Sequence, residues 1–82
     1  MKDSKLDKIE ILIKEEKISE AQFELSKLGK EYEKNPDYLF LRGKVFYLNK
    51  LYYAAIDALL IASEFEENNK ICSLIAEIYG EL

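Results

Sequence analysis

The chain has no histidine, a single cysteine, a single proline and three glycines among its 82 residues. Each shortage removes a class of explanation. Without histidine there is no Ser–His or Cys–His nucleophile pair, and the commonest zinc ligand is missing. One cysteine, Cys72, can form neither an internal disulfide nor a thiolate metal site by itself, and its lone presence fits a reducing, cytoplasmic compartment. No apolar run approaches the roughly 18 residues of a membrane span; the most apolar stretch, Leu51 to Ala62, is interrupted by Asp57. The N-terminus, Met1 to Lys5, leads into a charged segment and not into the apolar core of a signal peptide. There is no Gly-rich phosphate loop and no Asp-x-Asp calcium loop. The carboxylate groups at Glu15–Glu16 and at Glu64, Glu66 and Glu67 fall at the ends of helical stretches, where solvation is the simplest reading. An enzyme, a cofactor site and a metal site are therefore not expected.

About half of the residues are apolar and about a third are charged, with a net charge of −4. That balance is too apolar for a disordered chain and suits one small globular domain. Lysines and arginine are interleaved with acids, apart from a short stripe at Lys5, Lys8 and Lys14, so a phosphate-neutralising surface for nucleic acid is not expected either.

Apolar residues recur at spacings of three and four almost throughout, the period of an α-helix. Leu6, Ile9, Leu12 and Ile13 form one stripe; Ile18, Ala21, Leu25 and Leu28 a second; Leu39, Gly43, Phe46 and Tyr47 a third. Tyr52, Ala55, Ile56, Leu59 and Ala62 make a fourth, and Cys72, Ile75, Ala76 and Tyr79 a fifth. Start and stop signals lie between them. Ser4 with Asp7 reads as a capping box. Asn35-Pro36-Asp37 combines a capping side chain, a proline for the first helical turn and an acid for the positive end of the dipole. Asn69 is the candidate cap of the last stripe. The pattern predicts five helices near 4–15, 18–33, 36–48, 51–65 and 70–81, joined by links short enough to set neighbours antiparallel.

The chain also resembles itself. A shift of thirty-four residues brings Ile9 onto Gly43, Leu12 onto Phe46, Ile13 onto Tyr47, Ala21 onto Ala55, Leu25 onto Leu59 and Leu28 onto Ala62. A further shift of thirty-three carries Leu39 to Cys72, Gly43 to Ala76 and Phe46 to Tyr79. A period near 34 residues built as helix-turn-helix is that of the tetratricopeptide repeat. From Pro36 to Glu67 the residues resemble that family at its signature places: Leu39, Gly43 and Phe46 on the first helix, then Ala55, Leu59 and Ala62 on the second. The segment before it is a weaker copy, with Ile9 in place of the small residue. The resemblance divides the chain into a repeat at 2–35, a repeat at 36–68 and a terminal helix at 69–82. Gly43 has a physical rationale of its own. A mid-helix glycine costs about 1 kcal/mol relative to alanine, so a helix approaching too closely for a side chain must offset it.

The resemblance implies a right-handed α-solenoid of antiparallel helix pairs that binds protein or peptide, with the first helix of each pair lining a concave groove. The matching positions are Asp3, Leu6, Glu10, Ile13 and Lys14; then Asp37, Phe40, Lys44, Tyr47 and Leu48; then Lys70, Ser73 and Glu77. This apolar strip with charged edges suits an amphipathic helix or an extended apolar segment. The Lys–Asn–Arg clamp that some members use for a terminal carboxylate is not matched at Leu6, Glu10, Leu41 and Leu74, and only Lys70 agrees. The alternative is an assembly module that binds a copy of itself or a fixed subunit of a larger complex. Ile71, Leu74, Ile78 and Leu82 are spaced by three, four and four, and are expected to form an outward stripe on the last helix, as the face of a homodimer or of a longer array. Phe46, Tyr79 and Phe65 are expected in the core, and at least one of Phe23, Phe40, Tyr47 and Tyr53 at the surface.

Overall fold

The computed structural model describes residues 4–82. It is all-helical, with no strand among the described residues. The order is α1 (Ser4–Lys14), α2 (Ile18–Ser26), a short 3-10 helix (Lys30–Tyr32), α3 (Pro36–Leu48), α4 (Tyr52–Phe65) and α5 (Asn69–Glu81). No described helix is long and apolar enough to cross a membrane.

Local chemistry sets most boundaries. The Asn35 side chain accepts from the backbone N–H groups of Asp37 and Tyr38 at 2.8 and 3.3 Å, with Pro36 opening α3 behind it. The last helix is capped by Asn68 rather than Asn69: its Oδ1 accepts from Ile71 N–H at 2.9 Å. Asn68 is the residue with extended backbone, which the capping position requires. α1 already includes Ser4, so Ser4 lies within the helix and not before it as a cap.

The second helix is shorter than its periodicity suggests. It ends at Ser26, whose hydroxyl donates to the Phe23 carbonyl at 2.7 Å. Local bonding of this kind competes with the helical ladder. The chain then runs through extended Gly29 into the 3-10 turn, which tucks Tyr32 into the core. Tyr32 rests against Tyr38 of α3, with ring centroids 6.1 Å apart.

The turns after α1 and α3 are the same structure. Glu16 and Lys50 both have positive φ, 63° and 65°, thirty-four residues apart. Lys17 N–H reaches the Leu12 carbonyl at 2.8 Å, and Leu51 N–H reaches the Phe46 carbonyl at 2.8 Å. Glu16 and Lys50 N–H groups bond to Ile13 and Tyr47 carbonyls at 3.0 and 2.9 Å. These paired bonds are the Schellman termination, which favours glycine at the left-handed position. Here charged residues occupy it instead.

The core is two apolar clusters that meet on α3. Leu41 and Val45 join Leu6, Ile9, Ile13, Ala21 and Leu25 in the first. Leu39 joins Ala55, Leu59, Ala62, Ile71 and Ile78 in the second. Tyr38 and Phe40 pack against both. A helix with neighbours on two sides must be apolar on more than one stripe, which is why Leu41 and Val45 are core although they lie off the stripe of Leu39, Gly43 and Phe46.

Gly43 is buried where α3 meets α4. A Cβ there would lie 2.8 Å from Leu59 Cγ, 2.9 Å from its Cδ2 and 3.3 Å from the Ala55 carbonyl. Leu59 is itself fully buried and cannot swing clear.

Two expectations about α5 are reversed. Ile71, Leu74 and Ile78 are buried and face the second cluster, and of the expected outward stripe only Leu82 is exposed. Conversely, Cys72 and Ala76 are exposed, Tyr79 is 56% exposed and only Ile75 is partly buried. The reason lies in which neighbours exist. Thirty-three residues earlier, Tyr38, Leu41 and Val45 point toward α1 and α2, and their counterparts Ile71, Leu74 and Ile78 point toward α3 and α4. Cys72, Ala76 and Tyr79 correspond to Leu39, Gly43 and Phe46, the face that α4 covers on α3, and no helix among the described residues covers it on α5. Phe65 is also exposed rather than core, and Phe23 and Tyr53 are exposed as one or more of their group were expected to be.

Two consequences are measurable. Gly43→Leu should destabilise the fold by about 1–3 kcal/mol through overpacking, whereas Gly80→Ala, with nothing within 4 Å of the added carbon, should leave the melting temperature unchanged or slightly raised by helix propensity. Lys50→Gly should stabilise by about 0.5–1 kcal/mol by relieving the left-handed backbone. Urea titration followed by circular dichroism reads all three; equal stability of the Gly43→Leu and Gly80→Ala proteins would refute the close-packing account.

Candidate partner-binding groove

α1, α3 and α5 share one side of the molecule, with α3 touching both of the others. Between them lies a cleft of about 470 Å³. Glu10, Ile13 and Lys14 come from α1; Phe40, Leu41, Lys44, Tyr47 and Leu48 from α3; Lys70, Ser73, Leu74 and Glu77 from α5. The helical period explains the grouping, because Phe40, Lys44, Tyr47 and Leu48 recur at three and four and so share a face of α3.

Of the groove residues expected from sequence, the structure brings together Glu10, Ile13, Lys14, Phe40, Lys44, Tyr47, Leu48, Lys70, Ser73 and Glu77. Leu6 is not among them: it is 6% exposed and belongs to the first core cluster. Asp37 lies away from the lining, in the first turn of α3, and Asp3 is outside the described residues. Leu41 and Leu74, two of the positions at which the carboxylate clamp is not matched, also line the cleft. Both are nearly buried and form part of the floor. They fall thirty-three residues apart, so the internal repeat already paired them; assigning Leu74 to an outward stripe concealed it.

The charges are not equivalent. Lys14 pairs with Glu10 at 3.6 Å, one helical turn apart. Lys70 places its ammonium 5.0 Å from the Phe40 ring centroid, a cation–π contact that bridges α5 to α3. Lys44 makes no ion pair among the described residues. Tyr47 sets its phenol beside the Glu77 carboxylate, and its ring lies 5.9 Å from that of Tyr52. The hydrogen bond to Glu77, then partial burial and the charges of Glu77 and Glu81, push the Tyr47 pKa up to about 12. A carboxylate beside the oxygen favours the neutral phenol and repels the phenolate. The cleft thus has an apolar floor, an α3–α5 polar link at Tyr47–Glu77, and one unengaged ammonium at Lys44.

The chain matches no protein-family model, no curated protein and no solved structure.

The Tyr47–Glu77 bond makes a spectroscopic prediction. Because the folded pKa lies above that of a free phenol, the bond contributes stability fully present below about pH 10, and this contribution is lost as pH rises through about 12. In a phenolate absorbance titration Tyr47 should titrate late, and Glu77→Gln should bring its pKa back toward that of a free phenol. A late phase that survives Glu77→Gln would assign the shift to another cause.

Proposed function

We propose that this chain is a protein-interaction module of the tetratricopeptide kind, a right-handed solenoid of antiparallel helix pairs that holds a partner protein in the groove of α1, α3 and α5. The observation that carries the reading is the groove itself. Ile13, Phe40, Leu41, Tyr47, Leu48 and Leu74 give an apolar strip across three helices, edged by Glu10, Lys14, Lys44, Lys70 and Glu77. The identical turns at Glu16 and Lys50 support the repeat.

A strip of this kind fits an amphipathic helix laid along the groove or an extended segment with alternating apolar side chains. Aromatic side chains centred in such a strip are the usual anchors of binding energy, which singles out Phe40 and Tyr47. The lining offers no chemistry that competes with binding. Its one aliphatic hydroxyl, Ser73, has no histidine to activate it anywhere in the chain, and Glu77 is engaged with Tyr47. On this reading the protein is a cytoplasmic scaffold, not an enzyme, with no cofactor and no nucleic-acid or membrane ligand.

The test is capture of the natural partner by the immobilised chain. Replacing Phe40 and Tyr47 together with alanine should weaken capture at least a hundredfold while the helical signal persists. Lys44→Glu, which leaves the core untouched, should weaken it by a smaller factor. Undiminished capture by both variants would exclude the groove and direct attention to Tyr52 and Tyr53.

A further inference from the structure

We propose that the segment held in the α1–α3–α5 groove is acidic as well as apolar: bulky apolar side chains on the floor, with an internal aspartate or glutamate between them set against Lys44. This rests on the groove reading above and adds the chemistry of the occupant. Lys44 stands in the middle of the cleft. It follows Phe40 by four residues and precedes Tyr47 by three, so it shares their face of α3, about one turn from each. Its side chain is half-buried.

The charges on the lining decide the sign of the partner. Lys14, Lys44 and Lys70 stand against Glu10 and Glu77. Both acids are engaged: Glu10 pairs with Lys14 at 3.6 Å, and Glu77 lies beside the Tyr47 phenol. Among the described residues neither Lys44 nor Lys70 has a carboxylate within ion-pair distance, and Lys70 rests only on the Phe40 ring. The cleft therefore offers free cation on a chain whose net charge is −4. A segment reaching from Phe40 to Tyr47 must pass over Lys44. An apolar residue there would take an ammonium out of water with nothing to replace its hydration, and a basic one would add repulsion. A carboxylate turns the same burial into a charge-assisted hydrogen bond. Leu6, Glu10, Leu41 and Leu74 stand at the places of the terminal-carboxylate clamp, so the acid is a side chain within the segment and not a chain end.

Panning phage-displayed random peptides on the full chain supplies the probe. The peptides selected should carry an aspartate or glutamate flanked by bulky apolar residues. For the strongest of them, followed by fluorescence anisotropy, Lys44→Glu should weaken binding about tenfold or more, and Lys44→Met by less. Exchanging the peptide's acid for lysine should restore binding to the Lys44→Glu chain. Circular dichroism should show the helical signal unchanged in both variants, since Lys44 makes no ion pair for its loss to break. Peptides that require Phe40 and Tyr47 but carry no acid, or whose affinity Lys44→Glu leaves unmoved, overturn this inference and leave the groove reading standing. Peptides indifferent to the double replacement of Phe40 and Tyr47 by alanine overturn the groove reading, and the inference falls with it. A library that yields no binder overturns the inference as well.

Discussion

The close approach of α3 and α4 at Gly43 is the constraint on which the rest of the structure depends. With no side chain at that position, Leu59 sits directly against the α3 backbone and Ala55 brings its carbonyl within van der Waals reach of the same spot. Leu59, Ala55 and Ala62 are then sealed from solvent. A glycine inside a helix is otherwise a net loss of about 1 kcal/mol, and the burial of a leucine of this size, about 1.5–3 kcal/mol, is large enough to reverse that sign. The tight pair fixes the angle at which α4 leaves the Lys50 turn, and α5 packs on the surface that results.

α3 carries more than one role because it has more neighbours than any other helix. Leu41 and Val45 close the first cluster, Leu39 the second, Gly43 admits α4, and Phe40, Lys44, Tyr47 and Leu48 remain for the groove. Phe40 belongs to both core and groove, packing on each cluster while its ring accepts the Lys70 ammonium. Replacing it therefore disturbs support as well as contact, which makes Lys44 the cleaner probe of recognition.

Helix number, the Asn35–Pro36 start and the packing role of Gly43 were legible in the sequence, because each depends on chemistry within a turn or on an isolated glycine that demands an explanation. Most groove residues were legible for a related reason: helical period and a repeat near 34 residues together place them on one side. What was not legible depends on the presence or absence of neighbours. α5 has two apolar stripes, Ile71–Leu74–Ile78 and Cys72–Ile75–Ala76–Tyr79, and nothing local to the helix says which is buried. The answer comes from the repeat read one step further, since the first stripe occupies the place of Tyr38–Leu41–Val45. Leu6 was misplaced for the same reason. It lies one turn before Glu10 on the groove-facing side by period, yet this end of α1 turns into the cluster with Ile9 and Ala21. The early end of α2 was hidden because Leu28 keeps the helical spacing although the backbone around Ser26 and Gly29 has already left the helix.

The cleft is shaped by contacts within the chain, which bears on the binding proposed for it. Its floor residues Ile13, Leu41 and Leu74 are core residues whose positions the two clusters set. Tyr47 beside Glu77 and Lys70 over Phe40 both link α3 to α5 along it. A site held in this way loses little conformational freedom on binding, and ordering cost is a large part of what offsets contact energy in association. On the proposed reading, selectivity would come from the rim. Glu10 and Lys14 already neutralise each other, and Glu77 is committed to Tyr47. Lys44 alone among the lining charges has neither an ion pair nor an aromatic ring to rest on. An acidic side chain on an otherwise apolar segment would meet an ammonium that need break no existing contact, whereas a basic one would first have to displace Lys44 or free Glu77 from its phenol.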